Sequence, residues 1–377
     1  MNLTNKKTIL TIIGLITIIA LVVLILDRRN TSDSVINIGF IGPQTGDLAV
    51  YGETEKNVTQ IAVDEINKNG GINGKQIQVT YEDDQCMGKN ALSAAQKLID
   101  IDRIKILLVT CSQSVLPIAP ITEKAHAIVF ASYAASSEIS DAGDYVFRNA
   151  YSNADISRVA AENVIQHHFK IAIISEITDY AADLRDNFKR EFTQKGGIIV
   201  SEENFVAGVK DFRAPLTKII SAKPEAIFIN PTSDATGIPL LKQLRELGYK
   251  GPLYGNFLGS GKNVQALAEA QGMIYFADPV AADSPLKADL LEKYKARYGV
   301  YPDYEYPAVA RYDSIYILAQ AIKNVGDDPT AIRDYLYQMP DFTGALGTYR
   351  FNDKGDITNV RPVVNQIVNG QAVKYNP

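Results

Sequence analysis

The sequence predicts an α/β protein built as two doubly wound units, and three observations carry that prediction. Apolar runs rich in Val and Ile alternate with longer amphipathic stretches, the pattern of parallel strands joined by crossover helices. The alternation comes in two successive series, one ending near residue 150 and one starting near Tyr151. Glycine-bearing turns such as GGINGK (Gly70 to Lys75) interrupt the series, because glycine accepts the left-handed conformation that ends helices.

The elements follow in order. Ile36 to Ile41 reads as the first strand, and Glu53 to Asn67 as a helix with Val58, Ile61, Ala62, Glu65 and Ile66 at helical spacing. Strands are expected at Ile77 to Tyr81, Ile104 to Thr110 and Ala127 to Ala131, with helices Ala91 to Ile101 and Leu116 to His126 between them. The second series gives helix Asp155 to His167, strand Lys170 to Ser175, helix Ala181 to Lys195 and strand Ile198 to Asn204. It continues with helix Phe212 to Ala222, strand Ala226 to Asn230 and helix Ala235 to Leu247. From Leu286 to Lys323 the pattern is helical, and Asp341 to Pro377 reads as short strands and turns, too few to form a domain alone.

Ahead of the first strand, Ile9 to Leu26 (ILTIIGLITIIALVVLIL) is an uncharged apolar run of about the length that crosses a bilayer as a helix. It ends in Asp27, Arg28 and Arg29 rather than in small residues, and no lipobox cysteine accompanies it. The expectation is therefore an uncleaved signal anchor with a polar linker to Ser34, which places the rest of the chain outside the cytoplasm. Basic residues flank both ends, so the positive-inside rule alone does not orient the span. In an oxidising exterior the only two cysteines, Cys86 and Cys111, are able to pair.

The net charge of −5 comes with no basic run and no RNP-like aromatic cluster, which argues against nucleic acid as a partner. Catalytic constellations are scarce. The three histidines, His126, His167 and His168, fall at the ends of expected helices, where they are able to cap carbonyls. There is no GxSxG or HExxH motif and no clustered metal-ligand set; Glu82 to Asp84 is able to bind a cation, but a solvated loop end is the favoured reading. No catalytic residue, metal or cofactor is expected, and a secreted hydrolase is the minority reading, since it needs an activated nucleophile.

The loop GPQTGDLAVYGE (Gly42 to Glu53) leads three glycines into a helix N-terminus, where unpaired amides and the helix dipole favour an anion. Its spacing is neither GxGxxG nor GxxxxGK[ST], so it is either a ligand-contacting loop or a plain structural turn. VTCSQS and FASYAASS (Phe130 to Ser137) both place small hydroxyl residues just past a strand's carboxyl end, where open α/β sheets bind ligands. Ser112, Ser114, Tyr133, Ser136 and Ser137 are the candidates; helix capping is the competing reading of each serine.

The stretches INIGFIGPQTGDLAVYG, DEINKNGGINGKQIQVTYEDDQC, VTCSQS, VAGVKDFRAPLTKI and FNDKGD resemble the type I periplasmic binding proteins, specifically the branched-chain amino-acid-binding branch that serves ABC importers. The likeness covers roughly Val35 to Asn369, in order. It implies two Rossmann-like lobes joined by three crossover strands, with crossings near Asn149, Ala277 and Leu346. Residues 35–149 with 278–346 then form lobe 1, residues 150–277 with 347–377 form lobe 2, and 1–34 is anchor and linker. Hinge closure around a ligand is the mechanism associated with such proteins.

The same resemblance implies a Cys86–Cys111 disulfide, worth roughly 2–4 kcal/mol. Position by position, it implies that Tyr51 covers the ligand, that the Ser112 hydroxyl meets its carboxylate, and that Tyr133 and Ala135 sit where a backbone carbonyl and a threonine hydroxyl are supplied. Ala135 lacks that hydroxyl, with Ser136 adjacent. Tyr180 matches the closing aromatic of the second lobe, and Thr232 falls at another aromatic position. Phe257 stands where amino-acid binders put the glutamate that pairs with the ligand ammonium; Asp234 is the nearby alternative acid. The implied partners are a small amino-acid-like, amide or carboxylate ligand and an ABC permease. A sensing domain that partners a signalling protein is the rival use of such a fold.

Overall fold

A computed structural model describes residues 35–277 and 284–375. Among these residues no helix is long and apolar enough to cross a membrane, and the run expected to anchor the chain lies outside them. The first lobe is built on five strands, β1 Val35–Gly42, β2 Gln76–Asp83, β3 Ile106–Val109, β4 Ile128–Ala131 and β5 Val146–Arg148. They form one sheet in the order β2-β1-β3-β4-β5, all parallel. β3 and β4 are buried at every position, which is why they read in the sequence as continuous apolar runs rather than alternating ones.

In the second lobe, Lys170–Glu176 (β6), Ile198–Phe205 (β7), Ala226–Asn230 (β8), Leu253–Gly255 (β9) and Ile274–Ala277 (β10) run parallel. Phe342–Thr343 (β11), Thr348–Phe351 (β12) and Ile357–Thr358 (β13) form a separate small sheet. Val363–Val368 (β14) and Gln371–Lys374 (β15) then close one edge of the second lobe antiparallel, giving the order β15-β14-β10-β9-β8-β6-β7. The order reverses between β1 and β3 in one large sheet and between β6 and β8 in the other, and these switch points put the following loops at the crevice where ligands of open α/β sheets bind.

Each expected strand of the two series is present, displaced by a residue or two at its ends; β5, β9 and β10, three or four residues each, are additions. The helical stretch from Leu286 divides into Pro285–Tyr298 and Glu305–Val325. Gly299 makes the break: it ends the first helix at φ 82°, a left-handed value that glycine adopts without a Cβ clash. The helix expected from Leu116 begins earlier, at Ser112, and runs to Ala125 with Pro117 and Pro120 inside it.

The third crossing is the main correction. Tyr349, Phe351 and Ile357 of the small sheet are buried in the first lobe's core. Phe351 meets Phe130 and Phe147 edge-on at 5.7 and 5.3 Å. The buried Asp313 carboxylate accepts the amides of Ala345 and Leu346 at 2.7 and 2.9 Å, fixing that turn on the first lobe. The chain therefore enters the second sheet only at Val363, not just after Leu346.

Cys86 and Cys111 are disulfide-bonded, with Cα atoms 5.7 Å apart and a sequence separation of 25. The bridge pins the residue that caps the Ser112–Ala125 helix. Replacing both cysteines by serine is expected to lower stability by roughly 3–4 kcal/mol through loop entropy restored to the unfolded chain. Thermal unfolding of the pair of proteins measures it, and coincident melting curves would refute the assignment of a stabilising role.

Candidate ligand-binding site

A cavity lies between the facing strand ends of the two sheets, lined by Leu48, Tyr51, Cys111, Ser112, Gln113, Tyr133, Ala135, Ala150, Tyr180, Thr232 and Phe257. The loops after six strands supply most of it. In the first lobe, Leu48 and Tyr51 follow β1, Cys111 to Gln113 follow β3, and Tyr133 and Ala135 follow β4; in the second, Tyr180 follows β6, Thr232 follows β8 and Phe257 follows β9. No side chain in this lining is charged.

Tyr51 is placed by the helix Ala49–Lys68, whose first turn lies against the β1 loop. A Cβ on the neighbouring Gly52 would come within 1.8 Å of the Pro43 carbonyl, so glycine is needed for the helix to start there. Burial holds the Tyr51 and Tyr304 hydroxyls far above the ordinary phenol range, with the carboxylate of Asp234 adding to the shift in both. Both stay protonated and donate across the cleft, Tyr51 to the Thr232 carbonyl at 3.4 Å and Tyr304 to Asp234.

Ser112 is the first residue of its helix, so its amide and that of Gln113 are among the unpaired N-terminal donors. Its Oγ accepts the Ser136 amide at 3.1 Å, which leaves the hydroxyl proton free to be given to a ligand oxygen. Ser136 is thus a support: its side chain is buried at 1% exposure and is not in the lining. Ala135 is in the lining, while its carbonyl accepts the Asn153 amide at 2.7 Å.

Two sequence candidates point elsewhere. The Ser114 hydroxyl donates to Asp84, which also accepts the Cys86 amide at 2.9 Å, so this serine holds the disulfide loop. Ser137 bonds Asp183 of the second lobe. Asp234 is also committed, accepting from Tyr304 and, at 3.0 Å, from Asn263. Glu176, at the end of β6, accepts the Thr232 amide at 2.8 Å and the Thr236 hydroxyl at 2.9 Å. Neither acid lines the cavity.

Phe257 is the hub of an aromatic cluster. Its ring centre is 6.0 Å from Tyr51, 5.5 Å from Tyr133, 5.4 Å from Tyr180 and 6.1 Å from Tyr304, each pair meeting edge to face. Sequence reasoning missed Tyr304, Leu48, Gln113 and Ala150. Leu48 and Gln113 lie inside motifs that stand out for their glycine and hydroxyl residues, whereas Tyr304 merely precedes a helix and carries no local signal.

A family model described as periplasmic binding protein matches residues 35–371. The Leu/Ile/Val-binding protein homolog 3 of Brucella melitensis is 27% identical over 86% of this chain and 89% of its own length. An amino acid binding protein of Pseudomonas aeruginosa is 29% identical over 85% and 87%. Among solved structures, the branched-chain amino acid transporter substrate-binding protein LivJ of Streptococcus pneumoniae, in complex with isoleucine, has a TM-score of 0.81 at 26% identity over 90% of this chain and 100% of that one. A leucine-binding protein LivK from Thermotoga maritima shares the fold at a TM-score of 0.82 and 23% identity, over 90% and 98%.

Proposed function

The chain belongs to the periplasmic binding protein family, and from that premise we propose that it is the extracytoplasmic solute-binding component of an ABC importer, closing its two lobes on one small amino-acid-like, amide or carboxylate ligand. It is a binding protein and not an enzyme. The observation that carries the ligand class is the lining itself: hydroxyl, amide and helix N-terminal donors at Ser112 and Gln113, the hydroxyl residue Thr232 on the other lobe, and otherwise apolar or aromatic surface.

In this reading the ligand's oxygen-bearing head docks on Ser112 and the first amides of its helix, and its body lies among Tyr51, Tyr133, Tyr180 and Phe257. Ala135 and Thr232 complete the contact surface, and Ser136 holds the Ser112 hydroxyl in place. An ammonium on the ligand is met by aromatic faces rather than by a carboxylate. The open form takes ligand on the first lobe; the second lobe then closes, the ligand shifting the equilibrium by its preference for the closed form. The apolar run from Ile9 to Leu26 holds the protein at the membrane beside its permease.

A thermal-shift screen of residues 34–377 against amino acids, amides, and aromatic and short-chain carboxylates tests this. A ligand present at 100 times its Kd adds about 2.7 kcal/mol to stability. A clear rise in Tm is expected from at least one carboxylate or amide with an apolar body, and Ser112→Ala is expected to remove most of it. A screen in which no class shifts the transition rules the proposal out.

A further inference from the structure

We propose that Asp183 is an affinity-setting positioning residue: its carboxylate clasps the first lobe beside the pocket and biases the protein toward its closed form without touching the ligand. Asp183 lies on the helix Asp179–Gln194 of the second lobe. Ser137 lies on the opposite lobe, in the short turn Ser137–Asp141 after β4. The Ser137 amide donates to Asp183 Oδ2 at 2.8 Å, and the Ser137 hydroxyl donates to Oδ1. Neither residue lines the cavity.

The other partners show why the clasp is conditional. Asn153 Nδ2 donates to Asp183 Oδ2 at 2.9 Å, and Asn187 Nδ2 to Oδ1 at 2.9 Å; both asparagines belong to the second lobe and are buried. Asn153 Nδ2 also donates to the Tyr180 carbonyl at 3.0 Å. The second lobe thus holds the carboxylate in position whether or not the lobes have met. The two Ser137 donors reach it only when they have. No cation pairs with the carboxylate at 4 Å or less among the described residues, so its charge is answered by four hydrogen-bond donors, two of which exist only on closure.

The clasp is well placed to act through closure. The residue preceding Ser137 gives its amide to Ser112, and Asn153 fixes the carbonyl of Tyr180, so the same junction touches the supports of a ligand-facing residue in each lobe. Because a ligand's apparent affinity scales with the fraction of protein in the binding-competent state, loss of two charge-assisted bonds specific to the closed form weakens binding of every ligand by the same factor. That factor is about 10-fold or more. Selectivity among ligands, set by the pocket lining, is left unchanged.

The test needs no ligand, so its failure is separate from failure of the solute-binding reading. Spin labels are placed on introduced exposed cysteines, one in each lobe, of the soluble part, and the distance distribution of the ligand-free protein is recorded for the unsubstituted chain, Asp183→Asn and Ser137→Ala. Asp183→Asn keeps the shape but turns one acceptor oxygen into a donor facing donors. The closed, short-distance population is expected to fall about 10-fold in Asp183→Asn and by less in Ser137→Ala, which keeps the amide contact. The melting temperature of Asp183→Asn is expected to fall, because the new amide also faces Asn153 or Asn187, and a cooperative transition well above the measuring temperature shows that the loss of the closed population is not unfolding. A distribution unchanged by Asp183→Asn, or an unsubstituted protein with no closed population, overturns the proposal.

Discussion

Replacing Arg311 by methionine is expected to cost about 3–5 kcal/mol of stability, because it strands a buried carboxylate. Arg311 and Glu55 are both fully buried and meet at 2.6 Å, and Arg311 also donates to the Val109 carbonyl at 3.2 Å. Glu55 collects the hydroxyls of Thr110 and Ser132, each at 2.6 Å. The Arg311 guanidinium stands 5.2 Å from the centre of the Phe40 ring, whose face takes up part of the charge. Without the arginine, Glu55 has two neutral donors and no counter-charge in a region of low dielectric, and must take up a proton or draw in water.

The effect reaches the ligand site. Glu55 is one helical turn from Tyr51, Thr110 precedes Cys111 and Ser112, and Ser132 precedes Tyr133, so one buried carboxylate ties together the three first-lobe segments that line the cavity. Denaturant titration should show a large loss for Arg311→Met alone and recovery of at least half of it when Glu55→Gln is added, since glutamine keeps an acceptor for the hydroxyls without a charge. A loss below about 1 kcal/mol for the single substitution would mean that the pair adds nothing beyond a hydrophobic replacement.

That network also marks where the sequence stops being legible. Strands buried on both faces announce themselves as apolar runs, and the residues after β3 and β4 sit next to their strands in the chain, so Ser112 and Tyr133 are readable from position, whereas Tyr51, inside the helix that follows β1, is reached only through the family resemblance. Arg311 is separated from Glu55 by 256 residues, and an arginine in a helical pattern reads as a solvent-facing residue. Tyr304 reaches the cleft only because the chain returns to the first lobe after β10. The same kind of tertiary preference misplaces the third crossing: Tyr349 and Phe351 alternate as in any short strand, and only the aromatic contacts of Phe351 with Phe130 and Phe147 decide which lobe they join. The expected helix, Leu116 to His126, already contains Pro117 and Pro120; its earlier start at Ser112 is masked by the run SQS, which reads as a hydroxyl-rich loop.

Phe257 should control what the pocket selects. It stands at a position where the resemblance to amino-acid binders implies a glutamate, and its ring bridges Tyr51 and Tyr133 of the first lobe to Tyr180 of the second. Leucine and its des-amino analogue 4-methylpentanoate form a matched pair that differs by one ammonium. With Phe257 in place, the ammonium finds only aromatic faces, so the des-amino acid is expected to bind at least as tightly as leucine. Phe257→Glu supplies a counter-charge. Unliganded, the variant holds a carboxylate in an apolar cluster and is expected to melt earlier; leucine neutralises that charge and should restore the transition, with relative affinity shifting toward leucine by at least 10-fold, about 1.4 kcal/mol. Phe257→Ala separates the two causes, since it removes the ring without adding charge: both ligands should then weaken together as the interlobe aromatic contacts are lost. Isothermal titration of the two ligands against the three proteins decides it. If the unsubstituted protein already prefers leucine strongly, a charge partner for the ammonium exists elsewhere in the closed cleft, and Phe257 does not set the preference.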